Sequence, residues 1–340
     1  MEEPIPMSLH IETGQELLDI LPSPLIRTIW SFVIDQIVIE GSLPFEFAPG
    51  CIIDKADPKQ IAKIKEEFDN LLERSPFMQY RFYYEHETII EQTQNGISSH
   101  TVPLVESDWR YYVVSTSNNA YIDLHYAASI SDIPLDLIAL HFTVDGSSKG
   151  WRSLTLLNHF QMCVRKPAKL VTQPSLNAIA DIFKSWMRFK QTYNDQNTFP
   201  EIPRALGMLD QLSMLPAHSE FHVLGLFAII EMLITHNPKL EDRGDSITHQ
   251  MKSKIPLLSR RFDEPIDYSF FFSGVSVEKI WSAMYKYRSA VAHGGIPDFQ
   301  GDLQVLKNSD HANNFLKSVV KAIIRHSIKE PYLYKDLRGC

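Results

Sequence analysis

From about residue 205 onward, apolar residues recur at intervals of three and four in five segments, near 205–214, 219–236, 244–257, 276–293 and 309–328. A helical period sustained through five segments commits the stretch to helices that bury one face each against one another. Residues 201–340 are therefore expected to form an all-α bundle. Residues 1–200 read as mixed α and β. Asp57-Pro58 opens a helix, with an N-cap carboxylate before a proline at the first helical position, and Ile61, Ile64, Phe68 and Leu71 supply its apolar face. Pro44–Ile53 reads as a strand and turn around Pro49-Gly50. Met78–Tyr84, Thr88–Gln92, His100–Leu104, Tyr111–Ser115 and Tyr121–Ala127 read as further strands. The last rests on an alternation of Tyr121, Asp123 and His125 against Ile122, Leu124 and Tyr126. Asp145-Gly146 followed by Ser-Ser-Lys-Gly is a turn without the spacing of a phosphate-binding loop. Leu154–Met162 and Leu176–Phe189 carry helical spacing, joined by a Lys166–Gln173 link. The polar stretch Asn194–Pro203, with Pro200 and Pro203, marks a boundary near residue 200.

Composition narrows the class. The 340 residues are 44% hydrophobic and 22% charged, which excludes wholesale disorder and suits about two domains. Cys51, Cys163 and Cys340 are widely spaced with no C-x-x-C, so neither a disulfide framework nor a cysteine zinc site is expected. The acidic start Met1-Glu2-Glu3-Pro4 lacks the features of a signal peptide, and the most apolar run, Val223–Ile234, is interrupted by Glu231 and falls short of the ~20 residues a membrane span needs. A cytoplasmic protein with no membrane association is expected. The formal net charge of −8 argues against a dedicated nucleic-acid binder. The last seventy residues, however, hold 10 Lys/Arg against 6 Asp/Glu.

Chemistry concentrates in Trp281–Gly295. Ser276 can N-cap this helix, Glu278 suits its first turn, and Gly294-Gly295 stops it. Ile280, Met284, Tyr287 and Val291 form an apolar stripe. Arg288 and His293 are five positions apart, about 140° around an ideal helix, so they flank a face. One reading pairs Arg288 with an acid and leaves His293 to cap carbonyls. The other gives a guanidinium and an imidazole facing a phosphate.

Around that pair the sequence resembles the HEPN superfamily, specifically its Apea-like branch, over about residues 205–335. The branch motif Tyr-x-x-Arg-Ser-x-x-x-His-Gly is matched by Tyr285, Arg288, Ser289, His293 and Gly294. An upstream apolar helix ending in an acid is matched by Leu226–Leu233 with Glu231. An intervening helix is matched by Ser246–Leu258, and a closing helix with Pro-x-Leu by Ala322–Leu333. Pro44–Ile64 looks like a segment that often precedes such domains. The resemblance implies a helical homodimer that places two such helices around one cleft. It also implies metal-independent endoribonuclease activity, found in prokaryotic defence and toxin systems. No cofactor or metal is implied. The RNA 2′-OH would be the nucleophile, with His293 moving the proton and Arg288 stabilising the phosphorane. Products would carry 2′,3′-cyclic phosphate and 5′-OH ends. Many active members place Asn, Asp or His after the arginine, where this chain has Ser289, a residue common in the Apea-like branch. Glu231, in an apolar helix, would be costly unpaired, and a salt bridge to Arg288 would resolve that. Tyr285 reads as packing.

The competing class is a non-catalytic dimerising scaffold whose acidic N-terminal half binds a protein or ligand. Other candidates are weaker. His218 and His222 flank Glu220 in an H-x-E-x-H that differs from the H-E-x-x-H zinc pattern, and they read as a surface pair. His249 reads as a surface or capping residue. Trp109, Tyr111, Tyr112 and Tyr121 read as core rather than as a base-stacking platform.

Overall fold

The structure, a computed structural model, describes residues 28–339 apart from 36, 74–85, 94–95, 118–119, 144–147, 151–167, 194–197, 217–218 and 237–245. Its N-terminal part is built on a small sheet. The strands are β1 (Thr28–Phe32), β2 (Ile37–Glu40), β3 (Phe45–Ala48), β4 (Cys51–Lys55), β5 (His86–Thr93), β6 (Gly96–Pro103), β7 (Tyr112–Ser117), β8 (Leu140–Phe142), β9 (Ser148–Gly150) and β10 (Lys169–Thr172). Six pair antiparallel in the order β3-β4-β7-β1-β8-β9. β10 runs parallel to β2, and β5 with β6 forms a separate two-stranded ribbon. The two-residue period of a strand sends Val113 to one face and Tyr112 and Val114 to the other. Val113, with Tyr111 just before the strand, packs with Ile61, Ile64 and Phe68 of α1 (Pro58–Glu73). Tyr112 and Val114 pack with Leu124 and Ala128 of α2 (Ala120–Ser129) and with Leu176, Ile179 and Phe183 of α3 (Gln173–Thr192). A strand covered on both faces reads as a continuous apolar run, which is why Tyr111–Ser115 stands out in the sequence.

α1 opens on a reciprocal cap. The Asp57 Oδ1 accepts the N–H of Lys59 and Gln60, each at 2.8 Å, and Gln60 Oε1 accepts the Asp57 N–H at 2.9 Å. Two expectations fail here. Tyr121–Ala127 is helical, not a strand: a strand would align Tyr121, Asp123 and His125, whereas the helix buries Tyr121, Leu124, His125 and Ala128 at spacings of three and four. Asp123 is drawn instead to Trp186 Nε1 and Lys190 Nζ on α3, at 2.8 and 2.9 Å. The Lys166–Gln173 link contains β10, with Val171 fully buried and Thr172 capping α3 through Ser175. The strand expected at Met78–Tyr84 and the helix expected at Leu154–Met162 lie outside the described residues.

The C-terminal part is mostly helical, with α4 (Glu201–Ser213), α5 (Phe221–Ile234), α6 (Ile247–Ser259), α7 (Tyr268–Phe272), α8 (Val277–Ala292), α9 (Ser309–Lys329) and α10 (Pro331–Leu337). Its core reaches back across residue 200, because Ile130 and the α3 residues Trp186 and Phe189 pack within it. Polar contacts fasten the same seam. The His125 Nδ1 accepts the Leu137 N–H at 3.3 Å, so Nε2 carries the proton and donates to Asp210 of α4 at 2.7 Å. Arg325 Nη1 and Lys321 Nζ of α9 donate to the carbonyls of Ile130 and Ser131, at 2.7 and 2.8 Å. Cations at the carboxyl end of α2 suit its dipole.

Burial, with the Arg325 charge nearby, pushes the Lys321 pKa down to about 8 from its ordinary 10.5. The unfolded chain then binds more protons between about pH 8 and 10.5, so folding stability rises with pH across that window. The full shift corresponds to roughly 3 kcal/mol. In urea melts at pH 8 and pH 10, Lys321→Met is expected to remove most of this rise relative to wild type. Parallel wild-type and variant profiles would show that Lys321 keeps its ordinary pKa.

Candidate functional site

α8 carries the residues singled out in the sequence, and its ends are set by local chemistry. The Ser276 hydroxyl accepts the Lys279 N–H at the start. At the finish Gly294, at φ +70°, adopts the left-handed conformation that terminates helices. The Gly294 N–H reaches the Val291 carbonyl at 3.1 Å and the Gly295 N–H reaches Ala290 at 2.8 Å, the paired bonds of a Schellman stop. His293 is the last residue before that turn. Its N–H is held by the Ser289 carbonyl at 3.1 Å and its side chain is exposed. Ile280, Trp281, Met284 and Tyr287 anchor the opposite face in the core. Arg288 and Ser289 are half-buried between the two.

Arg288 leans across to α5. Its Nη2 lies 3.6 Å from Glu231 Oε1, an ion-pair distance without a hydrogen bond. That Oε1 is buried and has no hydrogen-bond partner. Burial raises the Glu231 pKa above the usual carboxylate value, and the Arg288 charge only partly opposes this. Desolvation therefore outweighs the pair's attraction. The guanidinium carbon also sits 5.8 Å from the Tyr285 ring centroid, one turn back on α8. Tyr285 is half-buried against the helical core. Its packing role thus includes a cation–π contact worth about 0.5–1 kcal/mol at a partly exposed site. Among the described residues Arg288 makes no hydrogen bond, so most of its five donors remain available for an anion.

The other candidates fall as follows. His222 is buried rather than part of a surface pair, with Nε2 at 3.1 Å from the Pro216 carbonyl. Burial depresses its pKa, which keeps the ring neutral at pH 7. Its apolar neighbours in Val223–Ile234 carry the signal that residue 222 turns inward. His218 lies outside the described residues. Among the described residues no three His, Cys, Asp or Glu side chains come together as metal ligands. His249 is exposed in the first turn of α6. Trp109, Tyr111, Tyr112 and Tyr121 are all buried and offer no stacking face.

Several cations of the last seventy residues have partners within the chain. Lys286 pairs with Asp302, Arg325 with Asp132, Lys329 with Asp263 and Arg338 with Glu201. Lys307 and Lys321 donate to backbone carbonyls. The His125–Asp210 pair has no sequence signal, since its partners stand 85 residues apart. No helix among the described residues is long and apolar enough to cross a membrane. No protein-family model, curated protein or solved structure matches the chain.

Proposed function

We propose that the chain is a metal-independent endoribonuclease of the HEPN type, cleaving RNA by 2′-OH attack, with Arg288 and His293 in the active site. The observation that carries this reading is the state of Arg288: tethered to Glu231 by charge alone, backed by Tyr285, and free to donate. An exposed imidazole lies five residues further along, at the C-cap of the same helix. His293 takes the 2′-OH proton or delivers one to the leaving 5′-oxygen, since an imidazole titrates near neutral pH. Arg288 meets the charge that builds on the non-bridging oxygens. Glu231 holds the guanidinium without consuming its donors. Ser289 fixes the His293 backbone through its carbonyl. Two copies of the helical part would set two such pairs around one cleft, and prokaryotic defence or stress response is the setting this activity fits.

The formal net charge of −8 favours a second reading, a dimerising scaffold that binds a partner through its acidic N-terminal half. The experiment that separates them is cleavage of a single-stranded RNA by the purified full chain in excess EDTA. Fragments ending in 2′,3′-cyclic phosphate and 5′-OH support the nuclease. Intact RNA at protein in excess over substrate supports the scaffold.

A further inference from the structure

α5 opens at a corner that one side chain helps to hold shut. Its N-cap residue, Glu220, makes no side-chain cap bond. The Pro216 carbonyl instead gathers two donors, the Ser219 N–H at 2.9 Å and the His222 imidazole at 3.1 Å. A carbonyl only accepts, so Nε2 of His222 carries the proton. In the neutral ring Nδ1 is then a bare acceptor, and it is buried with no hydrogen-bond partner. The residue as a whole is 2% exposed.

A second proton would worsen each of these conditions. Nδ1 would become a donor facing no acceptor, and the ring would carry a charge held away from water. That charge would sit in the first turn of α5, at the positive end of the helix dipole. The groups around it offer no relief. α9 brings Lys317, whose charge opposes a protonated ring, and Asp310, which acts on Lys317. α8 brings the Tyr287 hydroxyl, which burial keeps protonated and on which Glu220 and Asp310 act. On α4 the last acid, Asp210, is held by His125 at 2.7 Å. α6 and α10 meet α5 at its other end, where Lys254 joins the carbonyls of Ile234 and Leu337.

Other buried histidines are better provided for. His125 has the Asp210 carboxylate, and His326 has Glu330 Oε1 at 3.4 Å. Among the described residues no carboxylate favours a charged His222, and burial together with Lys317 depresses its pKa. An imidazole in an open chain titrates near 6.5. As pH falls through about that value the opened corner binds the proton before the closed one does. The stability of the closed corner is therefore complete above it and is lost progressively below it.

We propose that His222 is an acid-sensitive clasp: in mild acid it takes up a proton at Nδ1, leaves its pocket and frees the corner between α4 and α5. The far end of α5, fastened by Lys254, stays in place. The clasp does not depend on the roles of Arg288 and His293.

The test is amide hydrogen exchange of the full chain at pH 7, 6 and 5, with each rate compared with its intrinsic value to give a protection factor. In the wild type the amides of residues 219–225 are expected to lose protection by about tenfold or more from pH 7 to pH 5, since each unit of pKa displacement is a factor of ten. Those of residues 251–258 on α6 should lose less. His222→Gln keeps a donor for the Pro216 carbonyl and cannot take up the proton, so its protection at 219–225 should stay constant with pH. Lys317→Met removes the opposing charge and should shrink the wild-type loss, which keeps the test decisive should His222→Gln fail to fold. Equal losses in wild type and either variant, or a loss spread evenly over the chain, would mean general acid unfolding and would overturn the proposal.

Discussion

His293→Ala is expected to lower RNA cleavage by roughly 10²–10⁴-fold, the usual contribution of a positioned general acid or base. Arg288→Ala is expected to cost on the order of 10²–10³-fold, the range for losing a donor to a developing oxyanion. Arg288→Lys should recover little, because an ammonium cannot offer the planar fork that spans two phosphate oxygens. The more discriminating variant is Glu231→Gln. Burial holds the Glu231 pKa above its unfolded value, so its stabilising contribution is largest at low pH and falls as pH rises through that value. Burial disfavours the charged form, so where the carboxylate is ionised Glu231→Gln should leave the urea midpoint unchanged or raise it. Cleavage should nevertheless fall, because Arg288 loses the charge that tethers it at 3.6 Å. Equal losses of stability and activity would reduce Glu231 to a packing residue, and full activity in Arg288→Ala would remove the arginine from the chemistry.

What the sequence disclosed depended on how local the cause was. The five helical segments, the Asp57 cap and the Gly294 stop are written within four or five residues, and each stands where expected. The error at Tyr121–Ala127 arose because six residues fit a period of two about as well as one of 3.6. The deciding facts, Asp123 reaching Trp186 and His125 reaching Asp210, are 63 and 85 residues away. The same limit applied to charge. The last seventy residues hold 10 Lys/Arg against 6 Asp/Glu, but of these Arg325, Arg338 and Lys321 close on acids and a carbonyl from elsewhere in the chain. The Glu231–Arg288 approach was legible because both residues break strongly patterned helices. The His125–Asp210 bond was not, because its partners come from α2 and α4, 85 residues apart, and no single segment carries a trace of it.

Phe315→Ala is expected to destabilise the chain by about 3–5 kcal/mol, the range for deleting a fully buried phenylalanine. Phe315 on α9 is 0% exposed, and its ring lies 5.0–5.7 Å from those of Phe272, Phe271, Tyr268 and Trp281. Those partners belong to α7 and α8, so one side chain fastens three helices, including the one that carries Arg288 and His293. A cavity there is not readily filled, because aromatic rings in edge-to-face contact can move inward only by giving up those contacts. The loss approaches the 5–15 kcal/mol that a whole folded protein typically commands. Melting temperature should drop on the order of 10 °C. Phe270→Ala, two residues from Phe272 but 76% exposed, should stay within about 0.5 kcal/mol. Below its own melting temperature Phe315→Ala should still place Arg288 beside Glu231, because α5 and α8 also contact each other directly. A variant that melts early yet cleaves at wild-type rate in the cold would locate the role of Phe315 in assembling the bundle. A variant that melts normally would mean that α7 and α8 are held against α9 by contacts other than this aromatic cluster.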